Sequence, residues 1–378
     1  MGCMEKKPRR LTIRDVARVA GVSTATISRF LNQSGYVDEE TGRRIKSAVE
    51  ETGYTPSIAA SSLKSQKSRL LMLVVPDICN PFYSQMARRV QQLAGERGYV
   101  MALLNSDGSP EEETAAVRTA VQMYAGGILL ATIDVRPNVV KTIVDSGIPA
   151  VGLNAFEECE FDTVHVHKNG GTYLAVRHLL ELGHTGIAFA GGLPGTAIAQ
   201  SRRLGYERAL KEAGLPINEE FIFEMGFTQE DGYKAGRYLS TLRPRVTAIC
   251  CANDLIALGV IAALSDQGID MPGDFSITGM DNIPYGKTSS PKLTTVTNDS
   301  DAFADAGVNM LFDRINGLYT GAPRSIEIPH DLIVRSSTSR PGVLLSGWEG
   351  VSSQTVPAKH QNMHWLHASP SSSGEVTK

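Results

Sequence analysis

The segment TATISRFLN, residues 24–32, places hydrogen-bonding side chains on one face of a short predicted helix. Helical spacing brings Thr24, Ala25, Ser28, Arg29 and Asn32 to the same side, while the apolar residues of the segment face the other way. Short polar side chains allow a close approach, so early residues of this helix could contact base edges and its hydroxyls could contact phosphates. The face is therefore typical of a helix that enters the major groove of DNA. An amphipathic helix hairpin in an ordinary core is the alternative interpretation.

Two further helices and a tight turn must position that face. Thr12 and Asp15 have the spacing of a capping box at the start of a first helix, and Gly21 allows the left-handed backbone of a sharp turn. Ser23 is the natural N-cap of the second helix. Caps and apolar spacing predict a third helix within residues 38–53. Because each helix is too short to be stable alone, we expect all three to pack as a helix-turn-helix domain over residues 1–56.

The next stretch, YTPSIAASSLKSQKS at residues 54–68, is too polar to form a core of its own. Leu63 has no evident core to join, and proteins that bind the minor groove use such apolar side chains as wedges between base steps. A plain linker is the other interpretation. We assign residues 57–69 to a linker segment.

Charge is distributed unevenly along the chain. The formal net charge is −3, yet residues 1–70 hold 13 Lys and Arg against 7 Asp and Glu, which leaves −9 for the remainder. A basic front suits a polyanionic partner such as DNA. No apolar run reaches the length of a membrane span and the first residues lack the apolar stretch of a signal peptide, so we expect a cytoplasmic protein without a membrane partner.

From residue 70 the sequence alternates short apolar runs with amphipathic stretches. This alternation is the βαβ pattern of doubly wound parallel sheets, and the fold class is predicted as an α/β core of two such subdomains behind a small all-α domain. Strands before about residue 165 are assigned to one sheet and later strands to a second. The predicted strands cover residues 71–75, 100–104, 127–131, 149–153, 186–190, 247–251 and 276–280.

Polar and aromatic side chains follow several of these strands. Asn80, Phe82 and Tyr83 come after the first strand, Asn253 follows TAICC, and Asp281 follows SITGM. Loops at the carboxyl ends of parallel strands form the ligand site of open sheets, and aromatic faces there could stack on a sugar or purine ring. The alternatives are plain core packing for the aromatic residues, a helix N-cap for Asn253 and an ion pair for Asp281.

Several chemistries find no support. The five cysteines lack CxxC spacing, the histidines lack neighbouring ligand residues, and neither GxSxG nor HExxH occurs, so we predict no metal, no cofactor and no enzyme activity. GGLPG at residues 191–195 follows a strand but lacks both GxGxxG spacing and a P-loop lysine. It is interpreted as a turn at the rim of the cleft.

The sequence resembles the LacI/GalR family of transcriptional repressors. The resemblance rests on TIRDVARVAGVSTATISRFLN, VDEETGRRI and YTPSIAASSLKS, continues through PDICNPFYSQM, RRLGYERAL, ANDLIALG and GMDN, and extends to about Ser339. It implies a periplasmic-binding-protein-like pair of subdomains around an effector cleft. It also implies base-reading positions at Thr24, Ala25 and Arg29. It further implies that residues 57–69 form a hinge helix or linker, with Leu63 as an intercalating leucine. The remaining DNA-contacting residues that we predict are Thr12, Ser23, Thr26, Ser28, Asn32 and Tyr36.

The resemblance also implies residues that hold an effector. Arg202 matches a position that grips effector hydroxyls or carbonyls, and Phe227 matches one that stacks on a ring. His167 and Lys168 stand where the family commonly has an Asp-Asn pair, so His167 could face the cleft with a different hydrogen-bond pattern. The predicted effector residues are Asn80, Phe82, Tyr83, His167, Arg202, Phe227, Asn253 and Asp281.

These patterns predict a repressor that binds a palindromic operator as a homodimer and is controlled by a sugar or sugar phosphate. Control by a purine or by a partner protein, and a sugar-binding protein that does not bind DNA, are the alternatives. We expect the core at residues 70–340, divided into about 70–165 plus 283–297 and about 166–282 plus 298–340. A disordered tail is expected over residues 341–378.

Overall fold

The computed structural model describes residues 11–31, 35–54, 68–134, 136–154, 159–167, 169–243 and 245–342. Three helices form the headpiece, which are α1 (Ile13–Ala20), α2 (Thr24–Leu31) and α3 (Glu39–Thr52). Their buried side chains form a small core of Val16, Ala17, Ala20, Ile27, Ile45 and Ala48. The predicted three-helix domain is confirmed over these residues, whereas Asn32 and Leu63, and the predicted hinge up to residue 67, lie outside the described residues.

The predicted caps of the headpiece are present. The Asp15 carboxylate accepts hydrogen bonds from the backbone N–H and the hydroxyl of Thr12. Ser23 Oγ accepts a hydrogen bond from the backbone N–H of Thr26 at 3.1 Å. Gly21 has a φ of 65°, a left-handed conformation that favours glycine. The chain therefore turns sharply between α1 and α2, so that both apolar stripes face the same core.

Beyond the headpiece, strands alternate with helices. The strands are β1 (Leu70–Val75), β2 (Val100–Asn105), β3 (Gly127–Thr132), β4 (Ala150–Asn154), β5 (Asp162–Val166), β6 (Ile187–Gly191), β7 (Ile222–Glu224), β8 (Ala248–Cys251), β9 (Ser276–Asp281), β10 (Thr294–Thr297), β11 (Ser325–Ile328) and β12 (Leu332–Ile333). The helices are α4 (Pro81–Glu96), α5 (Pro110–Gln122), α6 (Pro137–Ser146), α7 (Gly170–Glu181), α8 (Ala197–Glu212), α9 (Gln229–Leu239), α10 (Asp254–Asp266), α11 (Pro284–Thr288) and α12 (Ser300–Ile315).

The strands form two sheets, as predicted. The first has the order β11-β5-β4-β3-β1-β2, and the second has the order β12-β10-β9-β8-β6-β7. All pairs are parallel except the antiparallel pair of β10 with β12. Alternate residues of β1 face opposite layers: Leu71 and Leu73 pack with α4 and α12, whereas Met72 and Val74 pack with α5 and α6. The doubly wound fold class is confirmed.

The structure corrects the predicted assignment of the two return segments. Residues 283–297 were expected in the first subdomain, but β10 pairs with β9 in the second sheet. Residues 298–340 were expected in the second subdomain, but α12 packs on the first sheet and β11 pairs with β5, whereas β12 does join the second sheet by pairing with β10. The chain thus crosses between the subdomains after β5, after β10 and after β11. Local apolar patterns identify elements but do not encode which sheet a returning segment joins.

Two other details differ from expectation. The run VMALL was predicted as a buried strand, yet β2 is an edge strand and Val100 is 54% exposed. Helices α6 and α12 were not predicted. Within the described residues, no helix is long and apolar enough to cross a membrane.

Candidate DNA-binding face and ligand cleft

Most of the predicted DNA-contacting residues that the structure describes in the headpiece are exposed. Thr24, Ala25 and Arg29 of α2 are exposed, and the Tyr36 side chain beyond that helix is 88% exposed. Thr12 and Ser23 are exposed at the helix starts, where they also serve as caps, and Thr26 and Ser28 are half-buried. Because the apolar residues of α2 are turned into the core, its exposed residues Thr24 and Arg29 are accessible to a DNA groove.

Arg44 of α3 supports the turn that orients this face. Its guanidinium donates a hydrogen bond of 2.6 Å to the carbonyl oxygen of Ala20, the last residue of α1. A Cβ atom at Gly21 would lie 2.8 Å from Arg44 Nη2. Glycine at position 21 is therefore favoured by its backbone conformation, and a side chain there would also displace the tip of Arg44.

The ligand cleft is a space of about 270 Å³ between the two sheets. Seven of the eight predicted effector residues line it, namely Asn80, Phe82, Tyr83, Arg202, Phe227, Asn253 and Asp281. The other lining residues are Pro76, Asp77, Asp107, Gly108, Ile133, Leu193, Ile198, Gly226, Thr228 and Asp231. Lining residues follow the carboxyl ends of β1, β2, β3, β6, β7 and β8, and Asp281 ends β9, as the rule for open parallel sheets requires.

The structure does not bring His167 into this cleft. Its side chain is exposed and lies beside the start of α7, where a Cβ atom at Gly170 would be 3.0 Å from its Nδ1. His330, which was not predicted, is half-buried beside the start of α7, where a Cβ atom at Gly171 would lie 3.2 Å from its Nε2. Its Nδ1 lies 2.9 Å from the carbonyl oxygen of Thr297, and burial lowers the pKa of its imidazole.

Arg202 and Asp281 form the charged centre of the cleft. Both side chains are buried, with Arg202 Nη2 3.8 Å from Asp281 Oδ1, and Asn298 Nδ2 donates a hydrogen bond of 2.7 Å to the same oxygen. Burial raises the pKa of the Asp281 carboxyl, and this effect is opposed by the Arg202 charge and the Asn298 hydrogen bond. Asp281 also has a φ of 107°, unusual for a residue other than glycine. The positive charge of Arg202 therefore stabilises the ionised carboxylate of Asp281, which burial alone would disfavour.

Phe227 forms an aromatic wall beside this pair. Its ring centre lies 5.5 Å from Arg202 Cζ, a cation–π arrangement. A Cβ atom at Gly192, in the predicted rim turn, would lie 2.1 Å from two carbons of the Phe227 ring. The absence of a side chain at Gly192 therefore leaves the space that the Phe227 ring occupies. On the opposite wall, Phe82 and Tyr83 pack edge to face with ring centres 5.0 Å apart.

Two of the predicted polar residues also have structural roles. Asn80 Oδ1 caps α4 by accepting a hydrogen bond from the backbone N–H of Phe82 at 3.0 Å. Asn253 Oδ1 caps α10, and its Nδ2 donates a hydrogen bond of 3.0 Å to the carbonyl oxygen of Phe227. Asn253 therefore positions the segment that carries the aromatic wall, which fits the helix-cap alternative as well as a ligand role.

A cleft-edge contact joins the subdomains where α8 begins. The backbone N–H of Ile198 donates a hydrogen bond of 3.2 Å to the carbonyl oxygen of Ile133, and the N–H of Ala197 donates one of 3.3 Å to Asp134 Oδ1. Ile133 and Asp134 follow β3 of the first sheet. The same helix carries Arg202, so this contact and the charged centre are connected through one rigid element.

Sequence reasoning missed three acidic residues of the cleft, Asp77, Asp107 and Asp231. Asp77 and Asp107 directly follow the strands β1 and β2, so their position after a strand was the signal that could have found them. Asp231 lies in the first turn of α9 and accepts hydrogen bonds from the backbone N–H and hydroxyl of Thr228. In the part of the chain that the structure describes, no group of three or more His, Cys, Asp or Glu residues could hold a metal ion.

Comparison with known proteins decides the family. The model for bacterial regulatory proteins of the lacI family matches residues 12–57, and that for the periplasmic binding protein-like domain matches residues 176–338. The HTH-type transcriptional regulator DegA of Bacillus subtilis (strain 168) is 34% identical over 335 residues, which cover 87% of this chain and 98% of DegA. The chain belongs to the LacI family.

Two further matches agree with this. The HTH-type transcriptional repressor PurR of Haemophilus influenzae (strain PittEE) is 32% identical over 329 residues, covering 86% of this chain and 98% of PurR. The structure of the transcriptional regulator CelR in complex with cellobiose is 28% identical, with a TM-score of 0.65, and covers 87% of this chain and 100% of that one. The LacI-family protein described here is thus a DNA-binding transcriptional regulator, and its relatives are regulators rather than enzymes.

Proposed function

We propose that this LacI-family regulator binds a palindromic operator as a homodimer, represses transcription by occupying it, and is controlled by a carbohydrate in the ligand cleft. The observation that carries the proposal is the convergence of Arg202, Phe227 and Asp281 on one space between two sheets. The exposed polar face of α2 supports the operator part. Because such a regulator acts on the chromosome, a cytoplasmic location is part of the proposal.

The composition of the cleft supports a carbohydrate. Its carboxylates accept hydrogen bonds, Arg202 donates them, and Phe227 offers an apolar ring face. A sugar presents hydroxyls that both donate and accept, together with C–H faces that pack on aromatic rings. The match to the CelR complex with cellobiose supports the same ligand class. Control by a purine is the second candidate, since Tyr83 and Phe227 supply aromatic rings in the same cleft.

The cleft-edge contact supports a route from ligand to DNA. A ligand that contacts Asp281 and Arg202 touches elements of the second sheet, and one that also contacts Tyr83 touches the first. Such a ligand binds more tightly when the two subdomains are close enough for both to contact it, which we call the closed arrangement, than when they are apart. That difference in affinity is the free energy available to change the spacing of two headpieces on an operator.

Binding of genomic DNA fragments tests the operator part. We expect the full chain to retard specific fragments in gel-shift assays at moderate salt, and we expect Arg29→Ala to weaken binding at least about tenfold and relax base preference. Arg43→Ala is the matched control, because Arg43 is an exposed arginine of α3 with a side chain 75% exposed. Its loss removes the same charge and should leave base preference intact. Retention of wild-type affinity and preference by Arg29→Ala would contradict the assignment of α2.

A thermal-shift panel of sugars and nucleobases tests the effector part. We expect a carbohydrate to raise the melting temperature and Asp281→Asn to abolish that rise, because the amide lacks the charge that holds Arg202. Stabilisation by nucleobases alone would favour purine control. If no small molecule acts and the regulator instead captures a protein from lysate, control by a partner protein would replace the proposal.

A further inference from the structure

We propose that the ligand cleft rejects anionic ligands, so that the effector is an uncharged or amine-bearing carbohydrate rather than a sugar phosphate or sugar acid. This inference rests on the proposed function and narrows its ligand class. It begins with the charges of the lining. Four aspartates, Asp77, Asp107, Asp231 and Asp281, face a single basic residue, Arg202, among the described residues that line the cleft.

The positive charge of Arg202 already interacts with groups of the protein itself. Its guanidinium lies 3.8 Å from the Asp281 carboxylate and over the Phe227 ring, and its side chain is only 10% exposed. A ligand phosphate would have to compete with Asp281 for this group. Separating the pair would leave a buried carboxylate without its counter-charge, which is strongly unfavourable.

Among the described residues, no Lys, Arg or His nitrogen lies within 4 Å of the other three carboxylates, although Lys234 adds a more distant positive charge near Asp231. Asp77 Oδ1 accepts a hydrogen bond from the backbone N–H of Cys79 at 2.8 Å, Asp107 Oδ1 accepts one from Asn105 Nδ2, and Asp231 accepts those of Thr228. All these donors are neutral, so the negative charges remain. Carboxylates only accept hydrogen bonds, and they therefore select ligand groups that donate, such as hydroxyls and ammonium groups.

The helix N-termini at the cleft are also capped by side chains. Phosphate groups in proteins commonly bind the free backbone N–H groups at the start of a helix. Here Asn80 caps α4, whose first residue is proline, and Thr228 with Asp231 caps α9. Asn253 caps α10, and Thr196 caps α8. At each of these four ends a side chain already binds one backbone N–H, and the described lining offers a phosphate no basic side chain other than Arg202.

Matched ligand pairs test this directly. Calorimetry on the full chain would compare glucose with glucosamine, glucose 6-phosphate and gluconate, ribose with ribose 5-phosphate, cellobiose with cellobionate, and hypoxanthine with inosine monophosphate. In whichever series binds, we expect the phosphorylated or acidic member to bind at least about tenfold more weakly than the uncharged one. Equal or tighter binding of the anion would overturn the inference. Binding confined to hypoxanthine would refute the carbohydrate proposal and still test charge rejection within the purine pair.

Charge variants test whether the aspartates are the cause. Asp77→Asn with Asp107→Asn removes two negative charges without touching a helix cap, and Asn is tolerated at the left-handed position of residue 107. We expect discrimination against the anion to fall at least about fivefold, and to fall likewise as salt rises. Asp145→Asn, on α6 and absent from the lining, is the matched control and should keep full discrimination. Unchanged discrimination in the double variant would overturn the role of these carboxylates.

Discussion

The backbone N–H of Ile198 donates a hydrogen bond of 3.2 Å to the carbonyl oxygen of Ile133, so the start of α8 is tied to the loop after β3. Both residues line the ligand cleft. The neighbouring bond from Ala197 to Asp134 reinforces the contact. Because Arg202 lies on the same helix, an opening of this edge would displace the charged centre of the site.

Ala197→Pro should weaken the closed arrangement without harming the helix. Ala197 is the first residue of α8 and the backbone of Thr196 before it is extended, so proline fits at position 197. Proline has no backbone N–H, so the substitution removes the hydrogen bond that Asp134 accepts from residue 197. We expect a loss of about 1 kcal/mol for the closed state, or about fivefold in its ratio to the open state. Small-angle scattering and the affinity for a stabilising sugar would measure it. Ala197→Ser keeps the N–H and should behave as wild type, and a proline variant indistinguishable from it would refute the role of this bond.

Gly21→Ala should destabilise the headpiece more than Gly53→Ala. Both glycines have a left-handed backbone, with φ values of 65° and 60°, so each substitution carries about 1 kcal/mol of strain. At Gly21 the new methyl group would also press on Arg44 Nη2, whereas nothing lies within 4 Å of a Cβ at Gly53. We expect an additional cost of about 1 kcal/mol from the disturbed bond of Arg44 to Ala20. Hydrogen exchange of the headpiece amides would measure both variants, and equal protection in the two would exclude a role for Arg44.

Glu113→Gln should change how stability depends on pH. Burial raises the pKa of the Glu113 carboxyl from its ordinary 4.5 to about 7, and its side chain bonds the hydroxyl of Thr132. As pH rises from 4.5 to about 7 the unfolded chain ionises first, so the wild type loses stability over this range and then levels off. The variant lacks this loss, so its advantage should grow with pH to at most about 3 kcal/mol.

Urea unfolding at a series of pH values would follow the Glu113 effect. The control is Glu112→Gln, which removes a neighbouring exposed carboxylate of the same helix. It should give a difference from wild type that does not rise through this pH range. A flat difference for Glu113→Gln as well would show that the buried carboxyl does not titrate as described.

Gly192→Ala should impair ligand binding by displacing the aromatic wall. A methyl group at this position would overlap the Phe227 ring, so the ring must leave its place beside Arg202. We expect carbohydrate affinity to fall at least about tenfold in titration calorimetry. Gly95→Ala in α4 adds the same methyl group where nothing lies within 4 Å, and it should retain affinity. Normal binding by Gly192→Ala would show that Phe227 does not contact the ligand.

The elements that sequence reasoning found are those with a single consistent pattern. LLMLVV and GILLAT are apolar on both faces and became central strands, and the headpiece carried its caps in the sequence. DTVHV and SDAFADAGVNMLFDRI mix polar and apolar residues, so β5 and α12 were missed. Asp162 shows why: its carboxylate is fully buried, yet Arg314 and Arg324 bind it from distant parts of the chain. Such pairing is invisible to local periodicity.

Sequence reasoning predicted the residues that line the cleft more completely than the negative charge of that lining. Arg202, Phe227 and Asp281 were expected together and line one space, although their role in binding stays a prediction. His167 was expected there from the family resemblance, but its side chain lies beside the start of α7. The aspartates after β1 and β2 were overlooked, although their position after a strand could have indicated each of them. Only their convergence in space reveals the negative lining.

The three crossings of the chain between the sheets also limit how this protein could be recombined. The first sheet begins in the sequence with β1, and its last strand, β11, comes more than two hundred residues later. Helix α12, which packs on this sheet, also lies more than two hundred residues after β1. Neither half of the core is therefore encoded by one contiguous stretch of gene, and a chimera that exchanged one half alone would need several simultaneous junctions. The headpiece precedes every crossing, so one splice near residue 55 could graft a new operator preference onto an intact sensor.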